Sequence, residues 1–410
     1  MFDLDKWQEI YHTIKKNKLR SFLTAFSVAW GIFMLIVLLG SGNGLENGVK
    51  YQFEQDATNS IWIYGGQTSV AYKGMKPGRY IRFKNEDYKQ TNQKVKAIEN
   101  SSARMNVFGK NEISYQNQFG SFRVTGIHPG TYQLERCNIV EGRFINQKDI
   151  NETRKVVVIP KLARNALLKD TTKSLIGEFI NVNGIPFMVV GMFYEENERD
   201  MDRVYIPIAT AQMVFNTGDY VGNIAFTTNA LSAQDSRILT EQIKQQFASR
   251  HKFDPGDQKA IFVNNNIENM KQFTDLFMGI RIFVWIIGIG TIIAGMVGVS
   301  NIMIIVVKER TKEIGIRKAV GATPGSIVGL IMFEAILITT VAGYFGLISG
   351  VGLMELIQPY VKSDFFRDPQ ADFRIAIGAT ITLILSGAIA GYIPARKAAR
   401  IKPVEALRDE

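Results

Sequence analysis

The sequence holds one cysteine and three histidines in 410 residues, and these scarcities exclude several kinds of chemistry. A lone Cys137 rules out a disulfide-stapled scaffold, and without a nucleophile context it reads as a buried structural thiol. His128 and His251 lie far apart with no Cys or carboxylate at ligand spacing, so no metal site is expected. Gly-x-x-x-x-Gly-Lys-[Ser/Thr] occurs nowhere, so this sequence supplies no phosphate cradle of that kind. Gly-x-Ser-x-Gly and paired carboxylates are missing as well. The sequence therefore reads as one that binds or moves something rather than transforming it.

Charge is missing from four long stretches. Ser21 to Leu45, Ile282 to Val307 and Ile375 to Ala395 carry none, and between Lys318 and Glu355 only Glu334 is charged. Each stretch reaches the ~20 apolar residues that cross a bilayer. The remaining charge is unevenly placed. Residues 1–20 carry five basic and three acidic side chains, Lys308 to Lys318 five and two, and Arg396 to Glu410 five and three. The loop Glu355–Arg374 carries three and four, and 46–275 carries 29 and 25. Orientation follows basic residues in short flanking segments and discounts long translocated domains. Both termini and the 308–326 loop are thus expected in the cytoplasm, with 46–275 outside. The net charge of +10 then needs no nucleic acid, and no basic stripe with aromatic interleaving stands out.

The expected fold is an α-helical membrane protein with four transmembrane helices and a large mixed α/β extracytoplasmic domain between the first and second. Its expected segments are an amphipathic helix on the cytoplasmic face (1–20), spans at 21–45, 276–307, 324–354 and 375–395, the outer domain 46–275, a cytoplasmic elbow 308–323, a short outer loop 355–374 and a tail 396–410. In the first segment Trp7, Ile10, Tyr11 and Ile14 fall on one helical face, which suits an interfacial helix leading into a retained anchor. A cleavable signal peptide would have a shorter apolar run.

Within 46–275, alternation at Ile61 to Tyr64 and Phe119 to Ile127 predicts strands, and Val156 to Ile159 predicts a buried one. Asn183-Gly184 between two apolar runs predicts a type I′ hairpin, because both turn residues need positive φ. Leu239, Ile243 and Phe247, four apart, predict a helix over Ala233 to Arg250, and Glu195–Arg203 reads as a solvated charged loop.

Small residues recur in the apolar stretches. Gly290, Ala294 and Gly298 are four apart, as are Ala342, Gly346 and Gly350, and Gly387 and Gly391. Such stripes let membrane helices approach closely, although glycine is also common in membrane helices generally. Lys308 to Gly325 reads as helix, stop, helix, with Gly321 as the stop and Thr323-Pro324 as N-cap and first residue of the next helix. Ile314, Ala319 and Val320 give the elbow an apolar side; Glu309, Arg310, Glu313, Arg317 and Lys318 give it a charged one. It could transmit force from a soluble partner or anchor on anionic lipid. Glu334 lies ten residues past Pro324, about 15 Å along a helix. A carboxylate at that depth needs protein or water, as a hydrogen bond that shifts between helices or as a static contact.

Several motifs carry a resemblance. Asn301-Ile-Met, then Glu309-Arg310-Thr-x-Glu313-Ile314-Gly315-Ile316-Arg317-x-Ala319-x-Gly321-Ala322, then Glu334-Ala335, resembles the signature of FtsX-type permeases. The ending Gly391-Tyr-Ile-Pro394-Ala395-Arg396-x-Ala398-x-Arg400-x-x-Pro403-x-Glu405-Ala406-Leu407 is similar to the C-terminus of the same group. Gly142-Arg143-Phe144, Val156 to Ile159, Ile176-Gly177 to Gly191, Val204 to Pro207 and Arg250-His251 resemble the periplasmic core domain of MacB-type ABC exporters.

The resemblance implies a non-catalytic permease subunit in a bacterial inner membrane, working as a homodimer with two copies of a cytoplasmic ABC ATPase. ATP and magnesium would bind that ATPase, a separate polypeptide here, leaving this chain without a cofactor of its own. Hydrolysis would drive movement of the outer domains and export of a substrate, in some hosts with a periplasmic adaptor and an outer-membrane channel. The resemblance assigns ATPase coupling to Lys308, Glu309, Arg310, Glu313, Ile314, Gly315, Arg317, Lys318, Ala319 and Gly321. Lipoprotein release or activation of a cell-wall hydrolase would use the same architecture, while a sensor without an ATPase would leave the elbow unexplained.

Overall fold

A computed structural model describes residues 18–54, 57–168, 173–194, 202–229, 231–361, 363, 365–369 and 373–403. The amphipathic segment 1–17, most of the 195–203 loop and the tail beyond Pro403 lie outside the described residues. The chain divides into two compact units, Tyr51–Thr274 and the pair of segments Met1–Lys50 with Asp275–Glu410. Each is described by itself.

In chain order the elements are α1 (Lys18–Glu54), β1 (Ser60–Gly65), β2 (Phe83–Lys84), α2 (Asn85–Lys94), β3 (Ile98–Asn106), β4 (Glu112–Tyr115), β5 (Gln118–Ser121), β6 (Arg123–Ile127), α3 (Thr131–Leu134), β7 (Asn138–Gly142), α4 (Gln147–Asn151), β8 (Val156–Pro160), α5 (Lys161–Leu167), β9 (Phe179–Val182), β10 (Ile185–Tyr194), β11 (Arg203–Pro207), α6 (Ile208–Val214), β12 (Tyr220–Val221), β13 (Asn223–Thr228), α7 (Ala233–His251), β14 (Ile261–Asn265), α8 (Asn266–Glu309), α9 (Thr311–Ala319), α10 (Pro324–Ile357) and α11 (Phe373–Ala399).

The unit Tyr51–Thr274 is built on one 12-stranded mixed sheet ordered β14-β1-β13-β3-β6-β11-β8-β10-β9-β4-β5, with β7 paired to β10. A separate two-stranded ribbon joins β2 and β12. β8–β10 and β6–β11 are parallel and the other pairs antiparallel. All five residues of β8 are buried, as expected for a central strand covered on both faces. Asn183 (φ +50°) and Gly184 (φ +84°) make the β9–β10 turn, the conformation that a type I′ hairpin demands. α7 starts on Ser232, whose hydroxyl accepts the Asp235 N–H at 3.1 Å, and stops at the left-handed Lys252. Ile243 and Phe247 are buried on its inner face. The single strand expected over Phe119–Ile127 is two strands. Phe122 turns its ring inward and its N–H donates to Asn111 O at 2.7 Å, so β5 closes a hairpin with β4 while β6 joins β3 and β11.

Three helices among the described residues are long and apolar enough to cross a membrane: Ala25–Phe53, Asn266–Glu309 and Pro324–Ile357. The expected span 375–395 falls within the 27-residue α11. At 1.5 Å per residue the 37 residues of α1 reach about 55 Å and the 44 of α8 about 66 Å, against a hydrocarbon core of ~30 Å. The unit boundaries fall inside these two helices, after Lys50 in α1 and after Thr274 in α8.

Lipid offers no hydrophobic driving force between helices, so close packing of small residues does the work. A Cβ on Gly346 would collide with the Ala29 carbonyl of α1, and one on Gly350 would sit 3.0 Å from Ile36 Cβ. Ala342 is buried on the same stripe. α11 meets α10 the same way, a Cβ on Gly391 coming within 2.7 Å of the Ala335 methyl. The loop between α10 and α11 closes against α1, where Arg367 N–H donates to Gly44 O at 2.9 Å and a Cβ on Gly48 would strike the Phe365 backbone.

Candidate functional site

The segment joining α8 to α10 is the most sharply built polar feature of the helical unit. α8 ends at Glu309, Arg310 leaves helical geometry (φ −101°, ψ 13°), and α9 starts afresh at Thr311. Lys308 and Glu309 therefore belong to the end of the long helix rather than to the elbow helix. α9 runs nine residues and stops before Gly321 at φ +108°, a value that disfavours a side chain. Thr323 then caps α10, its hydroxyl accepting the Ser326 N–H at 3.3 Å, with Pro324 at the first helical position.

The apolar side expected for α9 divides between two faces. Ile314 and Gly315 are buried, whereas Ile316 is 47% and Val320 84% exposed, and Ala319 is exposed beside them. Lys312 and Glu313, four and three residues before Ile316 on the same helix, are exposed beside it, and Lys308 and Glu309 at the end of α8 are exposed as well. The result is a short helix with one face inside the bundle and an outward face of apolar centre and charged rim.

Two charged residues expected on the outer face point inward instead. Arg310 Nη1 donates to Glu334 Oε2 at 3.3 Å and its Nε donates to Glu313 Oε2 at 3.0 Å. Glu334 is only 2% exposed, so the buried carboxylate of α10 has a guanidinium as its partner. Lys318 Nζ donates to Ala399 O at 2.8 Å and Ile401 O at 2.7 Å, satisfying carbonyls at the end of α11 that have no helical donor. Arg317 is half-buried.

Comparison with known proteins gives two family matches that together span most of the chain. Residues 21–246 match the MacB-like periplasmic core domain and residues 285–403 match the FtsX-like permease C-terminal region. The chain is a MacB/FtsX-like ABC transporter permease. The macrolide export ATP-binding/permease protein MacB of Bdellovibrio bacteriovorus is 26% identical over 98% of this chain, which spans 61% of that relative's length. The uncharacterized ABC transporter permease YvrN of Bacillus subtilis is 25% identical over 98% of both chains. Among solved structures, the periplasmic region of MacB from Actinobacillus actinomycetemcomitans aligns at TM-score 0.44 and 20% identity, covering 54% of this chain and 95% of that one.

In the permease, the motif residues of the extracytoplasmic domain serve as scaffold. Arg143 donates two hydrogen bonds to Asp149, at 2.6 and 3.0 Å, and a third to Phe144 O at 3.0 Å. Asp149 is fully buried; burial alone would raise its pKa, but the hydrogen bonds and charge of Arg143, the Asn146 N–H and the Arg154 charge hold it below the usual range. Arg250 and His251 both reach the buried Asp87, at 2.5 and 3.0 Å. His128 meets the Ala103 backbone, and burial pushes its pKa down to about 4, outweighing that hydrogen bond. Cys137 is buried in the small core around Tyr205. A buried pair of Arg104 and Glu135, with Tyr205 Oη donating to Glu135 at 2.7 Å, carries no sequence signature.

The two small-residue stripes fare differently inside one chain. Gly346 and Gly350 pack on α1, as described, and Ala342 is buried. Gly290 and Ala294 are exposed, and Cβ atoms on Gly290 or Gly298 would meet nothing within 4 Å. α8 instead faces α1 through Gly288 against Leu35 and Gly295 against Val28. Gly44 and Gly48, against the loop between α10 and α11, were not singled out by the sequence pattern, although they have the same four-residue spacing.

Proposed function

We propose that this permease couples ATP hydrolysis by a separate cytoplasmic ATPase to movement of its extracytoplasmic domain, and so drives export of a substrate. In this reading α11 completes four spans, both termini are cytoplasmic, and the membrane is the bacterial inner membrane. Two copies of the chain pair with two ATPases, which hold the ATP and magnesium; an adaptor and outer-membrane channel join where the host has an outer membrane. This chain performs no catalysis.

The observation that carries the reading is the outward face of α9. Exposed Ile316 and Val320, with exposed Lys312 and Glu313 beside Ile316 on the same helix, suit a groove in a soluble partner. Burying an aliphatic side chain contributes ~1.5–3 kcal/mol, enough for this pair to anchor a contact. Arg310 and Lys318 leave the contact set that the resemblance assigned, and Lys312, Ile316 and Val320 enter it.

The test is purification of the tagged chain in mild detergent with identification of co-purifying proteins and an ATP hydrolysis assay. A bound P-loop ATPase, lost in Ile316→Glu with Val320→Glu while membrane insertion is kept, is the expected result. Wild-type binding and hydrolysis in that double variant would refute α9 as the docking element. A cell-wall hydrolase or lipoprotein in the eluate, in place of an adaptor, would redirect the output of the same machine.

A further inference from the structure

We propose that Arg310 and Lys318 are positioning residues that clamp the elbow helix at both ends, Arg310 to Glu334 of α10 and Lys318 to the Ala399 and Ile401 carbonyls where α11 ends. A push on α9 is then delivered to α10 and α11 as one body. The inference rests on the reading of α9 as the docking helix and adds to it the route by which motion leaves that helix.

The geometry is specific. α9 is nine residues long and buries only Ile314 and Gly315, a contact patch too small to resist sliding or rotation by packing alone. Directional bonds supply what packing does not. At its start, Arg310 bridges Glu334 (3.3 Å) and Glu313 (3.0 Å), so one guanidinium ties α9 to α10. Eight residues on, Lys318 holds Ala399 O and Ile401 O, so one ammonium ties α9 to the end of α11. Removing one member of a buried ion pair leaves the other charge uncompensated, which makes the Arg310–Glu334 attachment hard to break in part.

What the clamp holds is itself joined. α11 meets α10 through Gly387 and Gly391, which lie against Thr339, Ile336 and Ala335. α10 meets α1 through Gly346 and Gly350, which lie against Ala29 and Ile36. A contiguous chain of close contacts therefore runs from the elbow through α10 to α1, the helix that leads directly to β1. Packed contacts of this kind shift between arrangements rather than deforming continuously.

The experiment uses the full chain in lipid nanodiscs, as wild type, Arg310→Gln, Lys318→Met and the swap Arg310→Glu with Glu334→Arg. Amide hydrogen exchange over 311–320 is read first, without any ATPase. Both single variants should exchange there about tenfold faster than wild type while residues 51–274 are unchanged. Unchanged exchange over 311–320 in both would overturn the clamp. With the co-purified ATPase added, the single variants should bind it as wild type does but lose the ATP-dependent change in protease cleavage of 51–274, and the swap should restore it. Loss of ATPase binding in Arg310→Gln and Lys318→Met would overturn the proposal by returning both residues to the docking face. A retained ATP response in both would overturn it as well. If wild type binds no ATPase, the docking reading fails, and the exchange measurement still decides the clamp.

Discussion

Replacing Gly346 with alanine tests whether α10 and α1 are held by backbone proximity. A Cβ there would run into the Ala29 carbonyl oxygen and lie 2.9 Å from its carbon and 3.0 Å from Cα. All three are backbone atoms of α1, so no rotamer change relieves the clash, and the helices have to part by about an ångström. Overpacking of this kind costs ~1–3 kcal/mol, offset by ~1 kcal/mol from the better helix propensity of alanine. Gly352 lies on the same helix with nothing within 4 Å of its would-be Cβ, so Gly352→Ala receives the propensity gain alone. The two variants should therefore differ by ~1–3 kcal/mol, with Gly346→Ala the less stable. Unfolding in mixed micelles of dodecyl maltoside and SDS, followed by hydrogen exchange over 324–357, isolates this helix from the extracytoplasmic domain. Equal stability of the two variants would refute the close-approach account. Gly350→Ala, facing the more yielding Ile36 side chain at 3.0 Å, should fall between them.

Other outcomes follow from the extracytoplasmic domain. His128 is neutral in the fold and its pKa falls from 6.5 to about 4, so acid favours unfolding: stability is full above about pH 6.5 and declines towards pH 4. The loss is at most ~3 kcal/mol, since His128 keeps some solvent exposure, and hydrogen exchange of β6 should show this slope in wild type and not in His128→Asn. Asp257 accepts from Ser69 N, Ser69 Oγ, Val70 N and Lys259 N at 2.6, 2.7, 3.1 and 3.1 Å, so Asp257→Asn should loosen the loop that follows β1 and speed tryptic cleavage at Lys73. Burial alone would raise the Asp257 pKa; the two Ser69 bonds and the Lys259 and Val70 N–H groups outweigh it and hold it low, so the tie persists in mild acid. Gly184→Ala places a methyl group at φ +84° and should destabilise the β9–β10 hairpin by ~1 kcal/mol, read as faster exchange in β9.

Features set by a few adjacent residues were legible in the sequence. The Asn183-Gly184 turn, the Gly321 stop and the Thr323-Pro324 cap each depend on local φ or a local hydrogen bond, and the structure has all three. Helix rotation was not legible. The stretch Ile282–Val307 of α8 is apolar on every side, so no polar face fixes its phase, and the choice between Gly290/Gly298 and Gly288/Gly295 depends on where α1 lies. The Arg310–Glu334 pair needed the same knowledge. A buried carboxylate in α10 announces that it requires a partner, but only the turn between α8 and α9 makes a cation 24 positions earlier that partner. Asp87 and Asp149 were missed because nothing near them in sequence marks burial, while the arginines that hold them stood out only through family likeness.

The extracytoplasmic domain leaves the helical unit and returns to it through hydrogen-bonded neighbours. β1 follows α1 and β14 precedes α8, and these strands pair antiparallel with Ile61 opposite Asn265. Adjacent strands lie about 4.8 Å apart, so more than two hundred residues form a cassette whose two ends almost touch. Such an insert can be lengthened, exchanged for another of different specificity, or excised as a soluble piece with little penalty for closing its ends. Relatives could thus diversify what they handle outside the membrane while keeping one helical engine, and a graft between permeases at these two strands is the natural junction for building a chimera.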